Sequence, residues 1–134
     1  MPDKSAPLIH NKDAMRQIKR FSGLQFGRIY PTDIDGFLDF GDKLFIFFEL
    51  KYGDASLKRG QELALERVCD ACESDTRRSC MLVARHNTVI GEEIDVANAI
   101  VTRVRYDRKW YDYVEKHETL RECIDKIRRK NHVS

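Results

Sequence analysis

The 134-residue sequence predicts a small α/β domain with a central mixed β-sheet flanked by helices. Three observations carry this expectation. Two β-patterned runs, residues 33–40 and 44–51, are separated by Gly41-Asp42-Lys43, residues with turn chemistry. An amphipathic helical pattern at 57–72 follows, and two further β-rich runs at 80–85 and 99–106 come after it. A second helical pattern closes the chain at 114–130. The expected order is helix, hairpin, helix, strand, strand, helix, in a single domain over residues 1–134.

Composition narrows the class. Hydrophobic residues make up 42% and charged residues 34%, as in a water-soluble globular protein. The net charge is only +2, so bulk charge does not single out a nucleic-acid partner; the placement of basic side chains has to do that. No stretch approaches the roughly 18 apolar residues of a membrane span. Met1-Pro2-Asp3-Lys4-Ser5 lacks the apolar core of a signal peptide. The expectation is an intracellular protein with no membrane partner, in the cytoplasm, or in the host cytoplasm if phage-encoded. The four cysteines are then expected as reduced thiols.

Residues 1–11 form a loose lead-in. Residues 12–21 suit a short helix, with Met15, Ile18 and Phe21 on one side and Lys12, Arg16, Lys19 and Arg20 on another. That basic face reads either as a solvated surface or as a phosphate contact. Ser22-Gly23 ends the helix. Residues 24–30 suit a short strand or an irregular lead into the hairpin.

In the hairpin, a turn centred on Asp42 sets residues whose numbers sum to 84 opposite one another. Asp35 then faces Glu49, and Asp33 faces Lys51, with Cβ atoms about 4.5–5.5 Å apart. The second strand is apolar on both faces (Leu44, Phe45, Ile46, Phe47, Phe48, Leu50), which marks a central strand. Ionised Glu49 and Lys51 at its end are costly unless partnered.

Ser56 is positioned to cap the next helix. Its inward stripe is Leu57, Ala64, Leu65, Val68 and Cys72, and Gln61 shares that stripe. On the strand 99–106, Ile100, Thr102, Val104 and Tyr106 share one face, and Val101, Arg103 and Arg105 the other. Trp110, Tyr111 and Tyr113 form an aromatic cluster, read as core packing ahead of base stacking. The last helix carries the stripe Tyr113, His117, Leu120, Ile124 and Ile127. Arg128, Arg129 and Lys130 suit its negative end, or a phosphate. Cys69-x-x-Cys72 with Cys80 lacks a complete four-ligand pattern, and Cys123 is distant, so buried thiols are expected.

The candidate site combines Asp35, Glu49, Lys51 and Gln61. Two close carboxylates repel unless compensated, and Mg²⁺ or Mn²⁺ with oxygen ligands is the usual compensation. Such an ion acidifies a bound water and offsets phosphate charge. Lys51 points to the same side as Glu49 and suits orienting that water or stabilising developing negative charge. Gln61 helps fix the water.

Pro31-Thr-Asp33-Ile-Asp35-Gly followed by Phe48-Glu49-Leu50-Lys51 resembles the PD-(D/E)xK nuclease superfamily. The segment Leu57-Lys-Arg-Gly-Gln61-Glu-Leu-Ala-Leu65 is similar to the helix-borne glutamine motif of its virus-type replication-repair nucleases and Holliday-junction resolvases. Pro31 lies four residues before Asp35, and Ile34 stands directly before it, so Asp33 is a rival for the motif aspartate. The resemblance implies a restriction-endonuclease-like core and a Mg²⁺- or Mn²⁺-dependent DNA endonuclease. Its substrates would be branched or junction DNA in repair, recombination or phage replication.

It implies Asp35, Glu49 and the Leu50 backbone carbonyl as metal ligands, with Asp33 an alternative or supporting one. Lys51 would be the catalytic lysine and Gln61 an auxiliary. Arg16, Lys19, Arg20, Lys58, Arg59, Arg103 and Arg105, with Arg85 and His86, would grip the DNA backbone. Many members also carry a first-helix glutamate; residues 12–21 offer only Asp13 and Gln17. One-metal chemistry, a substitute ligand or lost activity all stay open, the last giving a DNA-binding or accessory protein. A homodimer would serve two-strand cutting.

Overall fold

The computed structural model describes residues 19–134. The chain divides into two units, Met1–Pro31 and Thr32–Ser134. In the described part of the first, a single 3-10 turn covers Ser22–Leu24. Phe26 and Ile29 then exchange backbone hydrogen bonds at 2.9 and 3.0 Å around Gly27, whose φ of +64° suits glycine. The expected helix over 12–21 falls largely outside the described residues, as does Arg16. Residues 19–21 are not helical, and Lys19 and Arg20 are exposed.

The second unit is built on a five-stranded mixed sheet in the order β1 (Gly36–Phe40), β2 (Leu44–Tyr52), β3 (Arg78–His86), β4 (Ile100–Tyr106), β5 (Lys109–Asp112). β2 and β3 pair in parallel; the other neighbours are antiparallel. Helix α1 (Arg59–Cys72) makes the crossover from β2 to β3, and α2 (Leu120–Lys130) follows β5. The expected α/β architecture with a mixed sheet is therefore present.

The alternation of β2 distributes the core. Leu44 and Ile46 join Cys80, Leu82, Val101 and Val104 beneath Leu120, Cys123, Ile124 and Ile127 of α2. Phe47 turns the other way, with Met81, against Leu65 and Cys69 of α1. The central strand is thus apolar on both faces because each face is roofed by a helix.

The hairpin register follows the sum of 84, from Gly36↔Phe48 to Phe40↔Leu44. Gly41 and Asp42 hold φ of +64° and +63°, and Lys43 N donates to Phe40 O at 3.2 Å. Asp39 Oδ1 accepts from Asp42 N at 2.8 Å, which steadies the turn. β1 begins at Gly36, however, so Asp33 and Asp35 precede the strand instead of lying within it. A Cβ at Gly36 would come within 1.9 Å of Phe48 Cζ. Glycine is required there because the Phe48 ring occupies the space over that residue.

Several expected boundaries shift. Ser56 does not cap α1; Lys58 is the extended residue before the helix, with no side-chain cap. Val68 is 41% exposed instead of inward, since the buried side of α1 runs through Leu65 and Cys69. In β4 the register slips where Val83↔Arg103 gives way to Ala84↔Val101, leaving Thr102 as an extra residue. Val101 and Val104 therefore share the α2 side, against the simple alternation expected.

β5 lies where the sequence shows only the aromatic run around Trp110 and Tyr111. Its turn is Asp107-Arg108, with φ of +52° and +61°, between the paired Tyr106 and Lys109. The last helix starts at Leu120, not at residue 114. Thr119 caps it reciprocally with Glu122, Thr119 Oγ1 accepting from Glu122 N at 3.2 Å and Glu122 Oε1 from Thr119 N at 3.0 Å. His117, at φ +53°, is exposed and lies outside the helix.

All four cysteines are free; Cys69, Cys80 and Cys123 are buried. Burial pushes the Cys69 thiol up to about 11 and Cys123 up to about 12, and raises Cys80 as well. Among the described residues no helix is long and apolar enough to cross a membrane.

Candidate active site

The site forms where β2 leaves the sheet core. Strand alternation puts Glu49 and Lys51 on the α1 side, continuing the line of Phe45 and Phe47. Helix α1 starts seven residues after β2 ends, so its first turn stands over those two side chains. Gln61 bridges them. Its Nε2 donates to Glu49 Oε1 at 3.1 Å, and its Oε1 accepts from Lys51 Nζ at 2.9 Å. The amide orientation is fixed by this network, because only the oxygen accepts from an ammonium group.

Asp35 approaches from the opposite edge of β2. Its Oδ2 accepts from Leu50 N at 2.7 Å. Odd-numbered residues of β2 turn their backbone groups to the β3 side, as Lys43 O does toward Arg78 N and Gly53 N toward His86 O. Even-numbered Leu50 therefore turns both its N–H and its carbonyl to the β1 side, where β1 has not yet begun. The Asp35 carboxylate and the Leu50 carbonyl thus border the same gap.

Glu49 is 4% exposed, and its Oε2 is buried with no hydrogen-bond partner among the described residues. Burial first, and the Asp35 carboxylate beside it second, push its carboxyl up to about 7; the Lys51 ammonium works against that rise. A buried carboxylate with an orphaned oxygen next to a second carboxylate is the electrostatic situation a divalent cation relieves. With the Leu50 carbonyl this is an all-oxygen donor set, suited to Mg²⁺ or Mn²⁺ and not to a thiolate-seeking metal. Among the described residues no group of three or more His, Cys, Asp or Glu side chains is gathered for a metal.

Asp33 is exposed, and no hydrogen bond joins it to the four clustered residues. The expected pairing of Asp33 with Lys51 does not form, because β1 starts three residues later and Lys51 is held by Gln61.

The basic residues separate into two groups. Lys58 and Arg59 stand exposed at the start of α1, Arg59 paired with Glu62. Arg103 donates to Glu62 at 2.7 Å, and Arg105 makes a two-pronged contact with Asp70 at 2.9 and 2.7 Å. Both guanidinium groups lie near Trp110, at 4.1 and 5.6 Å from its ring centre, while Trp110 Nε1 donates to Glu66 at 2.6 Å. These three acids recur every four residues on α1, so they form one row facing the sheet. That row has a visible sequence signal, Glu62-x-x-x-Glu66-x-x-x-Asp70, which the apolar stripe overshadows.

Beyond Lys51 the same sheet face opens into a cleft of about 590 Å³. Val83 and Arg85, the lateral partners of Glu49 and Lys51, form part of its lining. The 53–57 loop, Thr102 and Arg103 of β4, and Trp110, Tyr111 and Asp112 of β5 also line it. Comparison with protein-family models, with curated proteins and with solved structures finds no match.

Proposed function

We propose that the protein is a Mg²⁺- or Mn²⁺-dependent nuclease that hydrolyses DNA phosphodiesters, built on a restriction-endonuclease-like core. One observation carries this reading. Asp35, the half-orphaned Glu49, Lys51 and Gln61 converge from a loop, a strand and a helix: Gln61 bonds both Glu49 and Lys51, and Asp35 accepts from the N–H of Leu50, the residue between them. Structural ion pairs also perturb carboxylates, but here one buried oxygen of Glu49 has no hydrogen-bond partner among the described residues, and the Asp35 carboxylate works with burial to raise its pKa.

Asp35, Glu49 and the Leu50 carbonyl would hold the ion; bound there, it would supply a Lewis acid and lower the pKa of a water. Lys51 has donor capacity beyond its single bond to Gln61, since an ammonium group carries three protons. It would place one on the attacking water or on a non-bridging phosphate oxygen as charge develops. Gln61 holds Lys51 and Glu49 at a fixed separation, so neither has to reorganise during the reaction. Exposed Lys58 and Arg59 at the start of α1 would contact the backbone of the substrate. A twofold dimer would supply the second site needed to cut both strands of a junction.

The test is cleavage of linear, flapped and four-way DNA in Mg²⁺ or Mn²⁺. Loss of cutting in Glu49→Ala and Lys51→Ala is expected; undiminished cutting by both would sink the reading. The lack of a glutamate in residues 12–21 and the net charge of only +2 favour a second reading, a fold retained for DNA binding without turnover. DNA affinity and one weak calorimetric metal site, with no cleavage of any substrate, would decide for it.

A further inference from the structure

We infer that the cleft beside Lys51 is a subsite for a single unpaired nucleotide of the DNA strand, with a phosphate at Arg85 and the base toward Trp110. The inference deepens the nuclease reading and rests on it for the position of the scissile bond. Its first support is the pairing state of the arginines on this sheet face. Arg103 and Arg105 are committed to Glu62 and Asp70. Arg85 is half-buried, on the cleft wall, and among the described residues no carboxylate forms an ion pair with it. A guanidinium removed in part from water without a carboxylate is a ready partner for an external anion.

The second support is registry. Arg85 is the lateral neighbour of Lys51 across the parallel β2–β3 pair, one strand spacing or about 4.8 Å away. Consecutive phosphates of one strand could thus be met by Lys51 and Arg85 in turn. The third support is size and lining. A cleft of about 590 Å³ has room for an unstacked nucleotide but none for a duplex. Leu57, Val83 and Trp110 give it apolar walls, and Ser56 and Asp112 give it hydrogen-bonding groups. Asp54 and Asp112 both line the cleft and would repel a phosphate wherever no guanidinium holds it, so the phosphate belongs at Arg85.

Trp110 is the sole tryptophan, so its fluorescence reports on this cleft without any turnover. The full chain, kept in chelator, is titrated with a short oligothymidylate and with a blunt duplex of the same length. The expected result is a Trp110 fluorescence change with the single strand, at an affinity about tenfold or more above the duplex. Arg85→Ala should weaken that affinity about tenfold or more, with Arg85→Lys recovering part of it. Ser56→Phe, on the exposed loop, should narrow the cleft and weaken binding while leaving Arg85 and its strand intact.

Equal affinity for both DNAs, or single-strand binding indifferent to both Arg85→Ala and Ser56→Phe, overturns the inference. Should that occur while Glu49-dependent cleavage persists, the nuclease reading stands and the subsite falls. Single-strand binding that depends on Arg85, with no DNA cut in Mg²⁺ or Mn²⁺, supports the subsite and removes the nuclease reading.

Discussion

Gln61 donates to the Glu49 carboxylate at 3.1 Å, joining the first turn of α1 to the end of β2. The bond fixes one oxygen of a carboxylate whose other oxygen is buried and unpartnered. That asymmetry sets what substitutions at the site should do.

Glu49→Gln removes a buried charge that the metal-free protein tolerates poorly. Thermal melting in chelator at about pH 8 should rise or hold, while cleavage falls by about a hundredfold or more. A large drop in melting temperature would mean that the carboxylate is a structural partner instead.

The raised carboxyl of Glu49 ties stability to pH. Its ordinary value is 4.5 and its folded value about 7, so the folded state holds this proton more tightly than the unfolded chain. The stabilising effect of protonation is complete below about pH 4.5 and is lost as pH rises through about 7. Metal-free protein should therefore weaken by about 1–3 kcal/mol over that window from this group. Urea midpoints in chelator will reveal it, and Glu49→Gln should flatten that part of the curve. Adding Mg²⁺ at about pH 8 should restore the loss, because the ion replaces the proton as the compensating charge.

Gly36 is expected to be irreplaceable for a steric reason. In Gly36→Ala the new Cβ meets the Phe48 ring, and overpacking of this kind costs about 1–3 kcal/mol. Since Asp35 is the adjacent residue, metal affinity should fall with stability. Phe48→Leu combined with Gly36→Ala should recover part of both; a double variant as weak as the sum of the singles would show that the ring is not the obstacle.

Arg105 is expected to matter more for folding than for DNA. Its pairing with Asp70 raises its own pKa, and its side chain is only 11% exposed. Arg105→Ala should cost about 1–3 kcal/mol, reduced from the fully buried case because Asp70 is partly solvated. Asp70→Asn with Arg105→Ala should be non-additive in chemical denaturation. DNA affinity of the refolded variant should change less than that of Arg85→Ala.

The hairpin was legible because everything that sets it is local. The turn residues fix the register, strand alternation puts Glu49 and Lys51 on one side, and the short connection brings Gln61 over them. The arginines were not legible in the same way. Nothing in the order of β4 tells a phosphate-facing guanidinium from one facing a carboxylate; the row Glu62, Glu66, Asp70 decides it, from a helix some forty residues earlier. β5 was hidden because Asp107-Arg108 adopts the positive φ angles usually supplied by Asn-Gly.

The sequence by itself determined an α/β domain with a mixed sheet, its hairpin register and the placement of Glu49 and Lys51 on one face. Only the tertiary structure decided that Asp35 and not Asp33 closes the cluster. Asp35 reaches the Leu50 N–H that β1 leaves free by starting at Gly36, and β1 starts there with the Phe48 ring lying over that glycine. A strand's first residue depends on packing across the sheet, and packing is not written in spacing alone.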